Sequence, residues 1–152
     1  MNRAAALCAR SEQATGDIRA KLLRWGLTDA EANQVIGQLV QQGFIDDIRF
    51  ARAFVKDRFA LNGWGRVKIT HQLRLKGVPA VAIDQAMSVI DDDEYRLKLI
   101  AILSAKWKTL SSREPRAAWA AMMRFAASRG FETPIAAECV KQVTSIEDVE
   151  IG

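Results

Sequence analysis

A chain of 152 residues suits one domain, or several small units sharing a core, and its hydrophobic fraction of 49% is ample for that. No apolar run approaches the ~18–20 residues that span a bilayer. Ala4 to Ala9 is too short for a signal segment and gives way at once to Arg10, Ser11 and Glu12, so a cytoplasmic protein outside the membrane is expected. The net charge of +4 is mild, and its distribution carries more information than its size.

In chain order nearly everything reads as helix. Ile18 and Leu22 lead to a Gly26-Leu27 pair. Thr28-Asp29-Ala30-Glu31 has the form of a capping box, and Ala32, Val35, Ile36, Leu39 and Val40 follow at helical spacing until Gly43 ends the helix. Asp46 is placed to cap the next helix, with Asp47 in its first turn, where the helix dipole favours an acid. Phe50, Phe54 and Leu61 mark its expected buried stripe.

Asn62-Gly63-Trp64-Gly65 breaks that helix, and another runs from about Arg66 to Lys76 and stops at Gly77. Pro79 is expected in the first turn of the next, through Ile83, Ala86, Met87 and Ile90. A longer helix places Leu97, Ile100, Leu103, Trp107 and Leu110 on one side. Pro115 opens another, with Trp119, Met122, Met123 and Ala126 inward. Thr133 as cap and Pro134 as first residue start the last, with Ala136, Cys139, Val140 and Val143. No period-two stretch predicts a strand. Cys8 and Cys139 lie far apart inside helical patterns and read as small buried hydrophobes. Trp25, Trp107 and Trp119 fall on apolar stripes and are expected in the core.

Two patterns repeat. Ile45-Asp46-Asp47-Ile48-Arg49-Phe50 returns as Ile90-Asp91-Asp92-Asp93-Glu94-Tyr95, and Ile18, Leu22 and Gly26-Leu27 return as Ile69, Leu73 and Gly77-Val78. Met122, Ala126 and Gly130-Phe131 are a looser third copy, and the recurrence of about 45 to 53 residues is that of a helical repeat array. The expected fold is therefore all-α: three tandem three-helix repeats forming an elongated, curved array, at residues 1–46, 47–91 and 92–152, the last carrying an acidic C-terminal tail. Such an array offers a long surface to a long partner.

The charge is concentrated in the middle. From Arg49 to Lys76 eight basic residues face one acid, Asp57, a local charge of +7. From Glu132 onward five acids face Lys141 alone. Arg49, Arg52 and Lys56 share a helical spacing, as do Arg66, Thr70 and Arg74, with Lys68 and Lys76 flanking. These stripes, with Arg58, suit phosphates or an acidic protein groove, although most charge stripes are merely solvated faces. Trp64, between two glycines, is either a plug over the helix junction or an exposed anchor for a base or a partner pocket.

Nothing points to catalysis. His71 is the sole histidine and lacks companions at metal or nucleophile spacing. Asp91 to Glu94 lack the alternation and glycine of a calcium loop and read as helix-capping acids, and no phosphate-loop or dinucleotide glycine pattern occurs. No enzyme activity, cofactor or metal is expected.

The chain resembles the RecX family, modulators of the RecA recombinase. The resemblance rests on Ala9-Arg10-Ser11-Glu12 with Ile18-Arg19-Ala20-Lys21-Leu22, and on Gly43-Phe44-Ile45-Asp46-Asp47 with Arg49-Phe50-Ala51-Arg52-Ala53-Phe54. Gly65-Arg66, Ile69, Gln72-Leu73-Arg74 and Lys76-Gly77-Val78 complete it, covering residues 5 to about 95 well. The resemblance implies a non-enzymatic monomer of three three-helix units that lies in the groove of a RecA filament on DNA. It also implies inhibition of ATP hydrolysis and strand exchange in recombination and the SOS response, and weak electrostatic binding to single- or double-stranded DNA. The expected partner- or nucleic-acid-binding set is Arg49, Arg52, Lys56, Arg58, Trp64, Arg66, Lys68, Arg74 and Lys76. The alternative is a free-standing DNA- or RNA-binding helical protein.

Overall fold

The computed structural model describes residues 2–110 and 114–146, so the acidic tail expected after Val143 lies mostly outside the described residues. Among the described residues the chain forms nine α-helices, one 3-10 turn and no strand. They are α1 (Asn2–Arg10), α2 (Thr15–Arg24), α3 (Asp29–Gln41), α4 (Asp47–Asn62), α5 (Arg66–Leu75), α6 (Ala80–Ala86), α7 (Asp92–Thr109), α8 (Pro115–Ser128) and α9 (Thr133–Thr144), with the 3-10 turn at Met87–Val89. Two compact units emerge, Met1–Lys56 with Thr70–Val89, and Asp57–Ile69 with Ile90–Gly152.

The caps are those the sequence writes. Thr28 accepts from the Glu31 N–H at 3.2 Å while the Glu31 carboxylate accepts from the Thr28 N–H at 3.0 Å, closing the capping box of α3. Asp46 Oδ1 accepts from the N–H groups of Ile48 and Arg49 at 3.0 and 3.1 Å at the head of α4. Asp91 Oδ2, its counterpart in the repeat, accepts from the Glu94 N–H at 3.1 Å at the head of α7. The repeated acidic motif is thus a repeated helix start.

The repeated glycine-apolar pair is a repeated helix stop. Val78 N–H donates to Leu73 O at 3.1 Å and Gly77 N–H to Arg74 O at 3.0 Å. Phe131 donates to Ala126 O at 3.1 Å and Gly130 to Ala127 O at 2.9 Å, and Leu27 and Gly26 make the same pair of bonds. This is the Schellman arrangement, which needs a left-handed residue after the helix; Gly77 and Gly130 have φ of +79° and +89°.

In the first unit, Ala4, Ile18, Leu22, Ala32, Ile36, Leu39 and Ile45 form one buried cluster from α1, α2, α3 and the connection into α4, with Cys8, Trp25 and Phe44 packed on it. Ala51 and Val55 of α4 and Leu73 of α5 are also buried. In the second unit, Tyr95, Leu99 and Leu103 of α7 are buried, as are Trp119, Met122 and Ala126 of α8 and Ala136, Cys139 and Val140 of α9. Phe59 and Phe131 lie against Tyr95, with ring centroids 5.8 and 5.1 Å away. Both cysteines are free thiols.

The structure corrects several expected faces. The buried stripe of α4 is Ala51 and Val55; Phe50 and Phe54 stack on each other along its half-buried flank, and Leu61 extends that flank into solvent at 80% exposure. Leu97 sits two residues from Tyr95, about 200° around the helix, and is therefore exposed. Trp25 and Trp107 are half-buried, and of the three stripe tryptophans Trp119 alone is fully inside. Pro79, expected in the first turn of α6, is its N-cap, one residue ahead of that turn. Glu132, not Thr133, holds the N-cap position of α9, and Pro134 is the second helical residue.

Within each unit a helix N-terminus docks on a glycine-turned C-terminus. In the second unit Gly65 N–H donates to Arg129 O at 2.7 Å and Val67 N–H to Gly130 O at 2.9 Å, so carbonyls at the end of α8 satisfy orphan donors at the head of α5. In the first unit the head of α2 meets the end of α5 equally closely: a Cβ on Gly16 would stand 2.1 Å from the Lys76 carbonyl oxygen. A Cβ on Gly65 would stand 2.4 Å from Gly130 O. Gly65→Ala must therefore push backbone apart and is expected to cost about 1–3 kcal/mol or more. Gly37, inside α3 with nothing within 4 Å of its would-be Cβ, gives the opposite expectation. Gly37→Ala should stabilise by about 0.5–1 kcal/mol. Thermal and urea unfolding of the two variants measures both signs.

Candidate partner-binding surface

The nine expected site residues fall on α4, α5 and the turn between them, and the structure sorts them by whether their charge is already used. In the first unit Arg49 donates from Nε to Glu12 Oε1 at 2.5 Å and from its Nη2 to Gly43 O at 3.0 Å. Lys76 Nζ donates to Asp17 Oδ2 at 2.9 Å and lies 6.0 Å above the Phe50 ring. Arg52, Lys56 and Arg74 are exposed and make no ion pair among the described residues. In the first unit these are the expected cations whose charge is available.

In the second unit Arg66 is spent most completely. Its guanidinium donates to Asp92 Oδ1 at 2.5 Å and Glu132 Oε2 at 3.3 Å, and lies 3.9 Å from the Tyr95 ring centroid. Arg66 N–H donates to the Tyr95 hydroxyl at 2.9 Å, and that hydroxyl donates to Glu132. Burial works against the Arg66 cation, but the bonds to Asp92 and Glu132 outweigh it and hold its pKa above the ordinary arginine value. Burial, followed by the bond to Glu132, raises the Tyr95 hydroxyl well above an ordinary tyrosine. This is a structural knot tying α5, α7 and the head of α9.

Trp64 is half-buried, with Lys68 Nζ 4.6 Å and the Arg58 guanidinium 5.4 Å from its ring centroid. Arg58 also donates to Asn62 Oδ1 at 3.2 Å. The ring is thus engaged by two cations of its own unit, an arrangement closer to a plug than to a bare anchor. His71 is exposed on α5. Among the described residues no group of three or more His, Cys, Asp or Glu could hold a metal ion, and no helix is long and apolar enough to cross a membrane.

Sequence reading missed the carboxylates that consume these charges. Asp47, assigned only to the dipole of α4, also accepts from the N–H and hydroxyl of Thr15, both at 2.9 Å, at the head of α2. Thr15 stands three residues before Ile18 and Arg66 three before Ile69; Asp47 stands two after Ile45 and Asp92 two after Ile90. The Thr15–Asp47 and Arg66–Asp92 ties are therefore one repeated contact, with a hydroxyl in one copy and a guanidinium in the other. The repeat register was the signal that could have found it.

Comparison with known proteins gives one family. The family pattern for the RecX second three-helix domain matches residues 46–87. Over 91 residues the chain is 33% identical to the regulatory protein RecX of Prosthecochloris aestuarii, covering 60% of this chain and 60% of that protein. It is 33% identical over 94 residues to the regulatory protein RecX of Clostridium tetani, covering 62% of this chain and 43% of that one. The chain thus spans less than two thirds of the length of either relative. Among solved structures, the crystal structure of RecX from Lactobacillus salivarius matches with a TM-score of 0.85 at 16% identity, covering 95% of this chain and 94% of that one, a likeness of fold.

The Tyr95 knot has a pH signature. A hydroxyl whose pKa is raised on folding contributes stability that is complete below the unfolded value of about 10 and is lost as pH rises beyond it. Tyr95→Phe should cost on the order of 1–2 kcal/mol at pH 8, through the lost bonds to Glu132 and Arg66. That deficit should shrink above about pH 10, where the wild type must ionise or distort. Urea unfolding of both proteins at pH 8 and 11 checks the sign.

Proposed function

The chain is a member of the RecX family of regulatory proteins, and we propose that it regulates homologous recombination by binding a RecA filament on DNA and restraining its ATP hydrolysis and strand exchange. The observation that carries this reading is the set of exposed cations Arg52, Lys56 and Arg74, which make no ion pair among the described residues, on a helical scaffold whose family relatives are named as regulators. The protein works by occupancy and not by turnover, as a monomer in the cytoplasm. Its three three-helix repeats, bounded near residues 46 and 91, present successive faces to successive filament protomers.

The physical logic separates scaffold from contact. A cation already paired with an acid of its own chain gains little from a second anion, because its Coulomb energy is largely spent and breaking the pair has a cost. Arg52, Lys56 and Arg74 can meet phosphates or acidic side chains at full strength. The runner-up, a protein whose main ligand is bare nucleic acid, rests on the same three cations. Measuring affinity for bare single-stranded DNA and for RecA-coated DNA at one salt concentration separates the two. If three phosphate contacts carried binding to the bare strand, the log–log salt slope would be about −2, at roughly 0.7 per contact. Filament preference at physiological salt supports the regulatory reading.

Reversing both Arg52 and Arg74 to Glu should abolish inhibition of RecA ATPase while leaving the far-ultraviolet circular dichroism and melting temperature near wild type. Trp64→Ala should weaken inhibition less, since Arg58 and Lys68 already occupy its ring. Full inhibitory potency of the double reversal at physiological salt would place the working surface elsewhere.

A further inference from the structure

A second basic feature lies apart from α4 and α5. Between α1 and α2, in the first unit, is an open cavity of about 370 Å³ lined by Arg3, Arg10, Lys21, Arg24, Trp25 and Leu7 among others. That volume is within the range of sites that take small organic ligands. Four of its lining side chains are cationic and none is acidic. The chain has two acids before Leu27, Glu12 and Asp17, and both are committed, to Arg49 and to Lys76. Arg3, Arg10, Lys21 and Arg24 make no ion pair among the described residues.

Four like charges around one concavity repel each other, and Lys21 is half-buried, so its hydration is already reduced. Nothing in the folding of α1 onto α2 demands this, since Ala4, Ile18 and Leu22 supply the contact. The cavity also holds an aromatic: the Arg3 guanidinium lies 4.0 Å from the Trp25 ring centroid. Arginine forks fit phosphate oxygens bidentately, and the Trp25 indole, whose ring carries the Arg3 guanidinium and packs on the core, offers a nucleobase its edge.

We propose that this α1–α2 cavity is a phosphate-recognition site that takes a nucleotide unit, with Arg3, Arg10, Lys21 and Arg24 holding the phosphate and Trp25 flanking the base. The nucleotide is either free or part of a single-stranded chain. The site is independent of the cations on α4 and α5 and needs no RecA.

The test uses the full chain without RecA, titrated with a twelve-residue oligothymidylate and separately with ATP and with inorganic phosphate, following tryptophan emission and the anisotropy of a labelled oligonucleotide. Arg10→Glu/Arg24→Glu should weaken binding about tenfold or more at low salt. It should also flatten the log–log salt slope for the oligonucleotide by about 1.4, at roughly 0.7 per lost contact. The same loss is expected when the pair is placed in the Arg52→Glu/Arg74→Glu background. Trp25→Phe should remove the ligand-induced emission change, and Arg24→Gln should give a smaller loss should the double reversal fail to fold. Tight oligonucleotide binding with weak ATP binding identifies a strand site; comparable ATP binding identifies a free-nucleotide site. Unchanged affinity in a folded Arg10→Glu/Arg24→Glu protein overturns the proposal, including the case where only RecA inhibition is lost, which would assign the cavity to a protein contact.

Discussion

The contact on which this fold depends is the seating of one helix's N-terminus on another helix's glycine-turned C-terminus. Gly65 can approach Gly130 only because it has no side chain, while a side chain on Gly130 would strike Lys68 one turn on, and the seating makes two backbone hydrogen bonds to carbonyls at the end of α8. The partial positive charge at the head of α5 meets the partial negative charge at the end of α8. Gly16 and Gly77 make the corresponding approach in the first unit, between α2 and α5. Repeated glycines at these positions are thus a docking code as much as a set of helix stops.

That seating decides the electrostatics. Bringing helix heads to helix ends places Asp17 beside Lys76 in the first unit, and Glu132 beside Arg66 in the second. Acids that look scattered in the sequence become partners of particular cations, and the concentrated basic middle is divided into a paired and an unpaired population. Arg66 shows the paired kind at its extreme, clamped by two carboxylates and lying against Tyr95. Arg52, Lys56 and Arg74 show the other kind. Net charge along a sequence therefore overstates the charge a partner can feel.

Much of the local structure was legible because it is written in short-range chemistry. Thr28 with Glu31, Asp46 and Asp91 act within a few residues of themselves, and Gly77-Val78 and Gly130-Phe131 close helices through bonds to the preceding turn. Faces were harder. Leu61 and Leu97 have the composition of core residues and helical spacing to other apolar residues, but burial depends on which side a neighbour covers. The candidate site was legible as a region and not as a set of roles. Separating Arg49, Arg66 and Lys76 from Arg52, Lys56 and Arg74 requires Glu12, Asp92, Glu132 and Asp17, whose sequence distances run from 26 to 66 residues. Tyr95 looked like the aromatic end of a repeated motif, and its hydroxyl acquires a purpose only once α5 and α9 arrive beside it.

The division between scaffold cations and contact cations is tested most directly by neutralising one of each. Arg66→Gln and Arg74→Gln remove the same charge from the same helix, and each protein can be assayed for melting temperature and for affinity toward RecA-coated DNA. Arg66→Gln should lower the melting temperature while the folded protein keeps its affinity, and Arg74→Gln should melt like wild type and bind more weakly. Loss of filament affinity in folded Arg66→Gln, with Arg74→Gln binding normally, would contradict that division.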